Sequence, residues 1–285
     1  PLAVALLLGT AACTRNSEPP TPELPTETAA PPTATMEPMA ALVNSEGITV
    51  IEYKVEVERF QASESARGKE TPLEDASKIV LDDLINQVLL AQGATSAGFK
   101  LDEAALQTRI ETLASQVGGQ DKLAAWQAAH GYSNETFRTA LERSLAAAWM
   151  RDQIIASVPS TTEQVHVQQI LLYNEEKARS IKAQLDAGED FGELAALYDP
   201  ATRGDLGWFP RGYLFEAQIE DNAFSLQPGQ VSDVIASEVG FHIIKVLERD
   251  PQRPLSPDAR QTLQDQALQD WLKDQRVKST IVLAP

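Results

Sequence analysis

The sequence predicts an α+β fold: a helical module followed by a small antiparallel sheet with flanking helices. Three observations predict it. Apolar residues recur at helical spacing through most of residues 71–157. From Thr162 to Arg249, alternating segments and short helical patterns follow one another, with turns marked by Gly188, Gly229 and Gly240. A last amphipathic segment, after Ser256, lies beyond the strands that complete the sheet and needs another surface to cover it. At 285 residues the chain exceeds one typical domain, so two compact units are expected.

The chain opens on a short apolar run, Leu2 to Leu8, then Gly9-Thr10-Ala11-Ala12-Cys13. Residues 1–13 resemble the end of a bacterial lipoprotein signal, in which the cysteine receives lipid. The resemblance implies lipidation at Cys13 and an extracytoplasmic, membrane-anchored protein. Thr10 departs from the aliphatic residue usual there, and an ordinary secretory signal is the alternative. As the sole cysteine, Cys13 leaves no intramolecular disulfide. Residues 14–40 read as a tether rich in Pro, Thr, Glu and Ala, unable to bury enough surface to fold. As polyproline II, at about 3.1 Å per residue, such a tether reaches roughly 80 Å.

Residues 41–159 form the helical module. Val43-Asn44-Ser45-Glu46-Gly47-Ile48 reads as a short opening turn. In the next segment Val55 and Val57 alternate like a strand, but Tyr53, Val57 and Phe60 follow helical spacing, which favours a helix. Thr71-Pro72-Leu73-Glu74 offers an N-cap, a first-turn proline and a capping-box glutamate. That helix is expected to reach about Gln92 and to end before Gly93. A third, from about Asp102, carries the stripe Leu106, Ile110, Leu113 and Val117 and stops at Gly118-Gly119. A short helix surrounds Trp126, and a long one runs from about Ser133 to Ser157, ahead of Pro159.

Residues 162–249 read as a strand over 165–172, helices near 175–187 and 190–198, a Gly204-Asp205-Leu206-Gly207-Trp208-Phe209 turn, a helix near 217–224, and strands at 231–236 and 240–248. Ser256-Pro257-Asp258 offers another N-cap with proline at the first helical position. The helix after it carries Leu263, Ala267, Leu268 and Trp271 on one face. Residues 254–285 are expected to pack on the helical module, with Ile281-Val282-Leu283 pairing near Val43.

The turn Gly204–Phe209, followed some thirty residues later by Gly240-Phe241-His242-Ile243-Ile244, resembles the parvulin (PpiC, or rotamase) family of peptidyl-prolyl cis–trans isomerases. The whole layout is similar to extracytoplasmic foldases of the SurA and PrsA type, whose N-terminal helical module cradles substrate. The resemblance implies an isomerase acting on X–Pro bonds of unfolded or newly exported polypeptides, with neither cofactor nor metal. It places a proline pocket on Leu206, Leu214 and Ile219, with Phe224 close by. It places polar site residues at His242, Ser237 and Asp199. Gln169 stands where the family carries a first histidine. His166 is a poor substitute, because residues 165, 167 and 169 share one face of a strand and 166 lies on the other. Asp205 reads as a structural residue of the glycine-rich turn.

A net charge of −17 argues against nucleic acid as a partner, since that binding needs Lys and Arg to meet phosphates. Three functional readings remain, the weakest being a structural assembly factor for one envelope partner. One is a folding isomerase with chaperone activity, weakened by the loss of one histidine. Another is a non-catalytic holdase with a degenerate parvulin domain.

Overall fold

The computed structural model describes residues 38–284, so the lipidation expected at Cys13 and nearly all of the tether expected over 14–40 lie outside the described residues. In chain order the elements are β1 Met39–Val43, β2 Glu46–Thr49, α1 Val50–Ala66, α2 Leu73–Ser96, α3 Glu103–Val117, α4 Gln120–Ala129, α5 Asn134–Ser157, β3 Thr161–Leu172, α6 Glu175–Asp186, α7 Phe191–Tyr198, β4 Asp205–Pro210, α8 Ala217–Ser225, β5 Ile235–Ser237, β6 Gly240–Pro254, α9 Pro257–Lys278 and β7 Ile281–Leu283. The fold is α+β, with a helical region and a parvulin-type sheet. The tether boundary moves back, because Met39 and Ala40 already belong to β1, where Met39 pairs with Thr49.

In the helical part, Thr49 caps α1 by accepting a hydrogen bond from the Glu52 amide at 3.1 Å, which settles this segment as helix. The expected Thr71 cap of α2 does not form. Pro72 occupies the cap position without a side-chain bond, and the Thr71 hydroxyl instead donates to Glu64 at 3.3 Å. Nor does Gly93 end α2. The helix continues to Ser96, and Gly93 gives room to the Trp271 ring, which would lie 2.5 Å from a Cβ at that position. In α3 the stripe is Leu106, Ile110 and Ala114; Val117 is exposed in the last turn, before the left-handed Gly118 cap. Ser133 and Thr136 form a reciprocal capping box at the start of α5.

Two apolar clusters hold this part. One joins α1, α2 and α5 through residues such as Val57, Ile85, Val88, Leu89 and Ile154. Each such side chain contributes about 1.5–3 kcal/mol by leaving water. The other joins α3, α4 and the start of α5 through Leu106, Ile110, Leu123 and Phe137. Helix α9 returns to the first cluster, with Leu272 buried in it and Trp271 packed against it. The Arg276 guanidinium donates to Asn86 Oδ1 at 2.8 Å. Strand β7 then pairs antiparallel with β1, placing Val43 opposite Ile281 and Ala41 opposite Leu283.

The second sheet is antiparallel, in the order β4-β3-β6-β5. Alternation along β3 and β6 sorts their residues onto two faces. Val165, Val167, Ile244 and Val246 pack with Phe209 and with Ile219, Ala223 and Phe224 of α8. Ile170, Leu172 and Ile243 pack on the opposite face with Ala178, Ile181, Phe191 and Leu194 of α6 and α7. The strand expected over 231–236 is shorter and later. Val231 makes only an isolated bridge to Lys245, and the ladder proper is Ile235–Ser237. At Ser232 the backbone amide donates to Ile244 O at 2.8 Å, and the side-chain hydroxyl oxygen accepts from the Ile244 amide at 3.0 Å.

Candidate active site

The site begins with register. In the β3–β6 ladder Gln169 lies opposite Ile244 and Leu171 opposite His242, so Gln169 and His242 are diagonal neighbours on one face. His242 Nδ1 lies 3.1 Å from Gln169 Oε1, and His242 Nε2 lies 2.8 Å from Ser237 Oγ. Ser237 Oγ also accepts the Val239 amide proton at 3.2 Å. An amide oxygen can only accept, so with this amide orientation Nδ1 carries the ring proton and donates it to Gln169. Nε2 then accepts from the Ser237 hydroxyl. The chain Val239–Ser237–His242–Gln169 is satisfied with a neutral imidazole. Burial depresses the His242 pKa below the ordinary histidine value, in keeping with that form. His242 is 3% exposed.

The position of Gln169 is fixed from behind. Its amide donates to Gly204 O at 2.7 Å. Gly204 has φ +72°, and a Cβ there would sit 2.0 Å from Gln169 O. Only glycine fits this approach.

Asp199 serves that turn and not the imidazole. Its carboxylate accepts from the Thr202 hydroxyl and from the amides of Ala201 at 3.1 Å, Thr202 at 3.2 Å and Gly204 at 3.3 Å. The Thr202 hydroxyl foremost, then its amide, hold the carboxyl below the usual range. Among the described residues it makes no hydrogen bond to His242 or Gln169. Its link to the polar row is indirect, through the Gly204 carbonyl that receives the Gln169 amide.

The apolar residues divide by depth. Leu206 and Leu214 are partly buried at the edge of the cluster, whereas Ile219 and Phe224 lie beneath, 4% and 5% exposed. Phe224 meets Phe209 edge-on, centroids 6.2 Å apart, and the Arg211 guanidinium lies 4.3 Å from its ring centre. Phe224 is thus a core residue of this cluster. Leu214 is held by a group the sequence reading passed over. The buried Glu220 carboxylate accepts from the amides of Gly212 at 2.7 Å and of Tyr213 and Leu214 at 3.1 Å each. The signal was an acid one residue after Ile219 on an otherwise apolar helix face, with a turn a few residues upstream.

Asp205 and His166 form a separate pair on the other face. Asp205 Oδ1 accepts from the Gly207 amide and lies 2.8 Å from His166 Nε2. Burial raises the Asp205 pKa, but the Gly207 amide and His166 outweigh it and hold the group low. The His166 ring stacks on Trp208, centroids 5.5 Å apart.

A concavity lies in the helical part. A groove of about 640 Å³ between α1, α2 and α5 is lined by Phe60, Trp126, Tyr132 and Phe137 and by Glu52, Asp83 and Arg143. Arg143 is buried and ion-paired to Glu52. The apolar stripes of the sequence read as core and gave no sign of this groove. Among the described residues, no group of three or more His, Cys, Asp or Glu could hold a metal ion. Nor is any helix there long and apolar enough to cross a membrane.

Residues 154–248 match the family model of the PPIC-type PPIase domain, and residues 33–141 match that of the SurA-like N-terminal domain. The foldase protein PrsA of Geobacillus sp. (strain WCH70) is 30% identical over 215 residues, covering 72% of this chain and 75% of that protein. The chain belongs to the PrsA foldase family. The PrsA of Geobacillus kaustophilus is 31% identical over 189 residues, 63% of this chain and 65% of that one. A crystal structure of the peptidylprolyl isomerase PrsA from Bacillus cereus is 22% identical and aligns over 82% of this chain and 84% of its own, with a TM-score of 0.45. The PPIC-type match spans Gln169, Asp199, Leu206, Leu214, Ile219, Phe224, Ser237 and His242. The SurA-like match spans β1, β2, α1 to α4 and the start of α5.

Proposed function

We propose that this chain is a peptidyl-prolyl cis–trans isomerase and chaperone that assists the folding of exported polypeptides. One observation carries the reading. The half-buried Leu206 and Leu214 stand over Ile219 in the same cluster as Ile235 and Ile244, and those two strand residues adjoin His242 in the satisfied row Ser237–His242–Gln169. An X–Pro bond rotates over a barrier of about 18–20 kcal/mol set by amide resonance. An apolar cup that grips the proline ring, beside neutral polar groups, favours the twisted amide and needs no proton transfer. Leu206 and Leu214 are the cup walls and Ile219 its floor. His242, oriented by Gln169 and Ser237, presents a ring that stays uncharged. Asp199 and Glu220 hold the two loops.

The holdase reading is not favoured, since the glutamine leaves the polar row intact in place of a histidine. The groove at Trp126 and Tyr132 supports binding of unfolded segments by the helical part. We place that module at residues 41–159 and the isomerase domain at 162–249, with 254–285 as a returning segment. Cys13 is the proposed lipid attachment and residues 14–37 the tether, making the protein extracytoplasmic and membrane-anchored.

Two measurements test the reading. NMR exchange spectroscopy on short X–Pro peptides should show line broadening that depends on the full chain. Suppression of client aggregation with peptide exchange at the uncatalysed rate would return the holdase. Mass spectrometry of membrane-extracted protein should find a diacylglyceryl adduct on Cys13, and an unmodified cysteine would remove the anchor.

A further inference from the structure

Phe215 is 96% exposed, yet it is the next residue after Leu214 of the cup. Exposed apolar side chains are common singly on protein surfaces, so exposure decides nothing. The loop that carries it does. Three successive amides, Gly212 to Leu214, are bound by the buried Glu220 carboxylate. The outer side of the loop rests on α9, where a Cβ on Gly212 would lie 3.2 Å from Leu263 Cδ2 and 2.3 Å from Gln266 Oε1. Held on both sides, the backbone turns Leu214 toward the cluster and leaves Phe215 standing in solvent. The cation on this loop, Arg211, lies over the Phe224 ring and 3.7 Å from Asp221. The exposed apolar side chain next to Leu214 on this loop is the Phe215 ring.

We propose that Phe215 is a specificity-determining residue that contacts the side chain flanking the bound proline and favours aromatic and large aliphatic residues there. The inference rests on the isomerase reading. A proline seated against Leu214 carries its chain neighbours past the adjacent residue. The loop backbone that carries the ring is already held, so contact costs only the freedom of that side chain.

The test compares kcat/KM of the full chain on Phe–Pro, Leu–Pro, Ala–Pro and Glu–Pro peptides, with Pro–Phe and Pro–Ala peptides to tell which flank is read. The wild type should prefer the apolar flank over alanine by about three- to tenfold, the order of an aromatic contact. Phe215→Ala should bring that ratio close to one, and Phe215→Leu should keep part of it. A ratio unchanged in Phe215→Ala, or an equal loss on every peptide, overturns the proposal. NMR titration with the same peptides reads affinity without turnover. Binding that still depends on Phe215 in a protein without turnover would overturn the isomerase reading and uphold this one.

Discussion

Gln169 accepts the Nδ1 proton of His242 at 3.1 Å and thereby fixes the tautomer of a buried imidazole. Replacing it by leucine leaves that N–H without its partner, at a cost of about 1–3 kcal/mol. Gln169→Leu should lower both the melting temperature and kcat/KM on X–Pro peptides. Gln169→His should raise kcat/KM by up to about tenfold, equivalent to about 1.4 kcal/mol in the barrier. A Gln169→His variant slower than the wild type would show that the glutamine is tuned to this site.

The His242 ring also sets a pH dependence. Its pKa is lowered by burial, so the unfolded chain binds this proton more readily than the folded one. Its contribution is full above the ordinary histidine value of about 6.5 and is lost as pH falls from there through the depressed folded value. Chemical denaturation of the wild type and of His242→Gln at several pH values isolates the effect, since other groups cancel in the difference. The wild type should lose stability relative to the variant on acidification. A difference that stays constant from neutral to acidic pH contradicts the neutral buried ring.

Leu214 and Phe224 should separate function from stability. Leu214 is partly buried at the rim, so Leu214→Ala should cut kcat/KM by about tenfold while moving the melting temperature little. Phe224 is buried against Phe209, and Phe224→Ala should cost about 3–5 kcal/mol of stability. Equal melting temperatures for the two variants would remove the distinction between wall and core.

Truncation after Leu255 keeps all of β6 and removes α9 and β7. It uncovers the side of α2 at Gly93 and leaves β1 paired only with β2. Hydrogen exchange should then speed in α2 and β1 more than in β3 and β6. Uniform protection would show that the returning segment adds nothing to the helical part.

Much of this was legible in the chain. Alternation along residues 165–172 set Gln169 on the face of Val165 and Val167 and apart from His166, and the Ser256-Pro257 cap announced α9. Gly93 misled, because a glycine inside a helical pattern resembles a stop until the ring that fills its space is known, and Trp271 lies far along the chain. Asp199 misled for a related reason. Its place in the motif fits a site residue, but the amides and hydroxyl it binds come from its own turn, and local hydrogen bonds win over a more distant imidazole. Glu220 and the groove at Tyr132 and Arg143 depend on which loops and helices meet, and pattern alone does not report that.

The contact of Gly212 with Leu263 and Gln266 bears on how such proteins are dissected. A fragment ending at Pro254 contains every residue of the proposed cup and of the polar row, yet it lacks the buttress behind the loop of Leu214 and Phe215. Turnover and selectivity measured on the excised sheet would belong to a loosened loop, so grafting this activity onto another scaffold requires the last helix as part of the cassette.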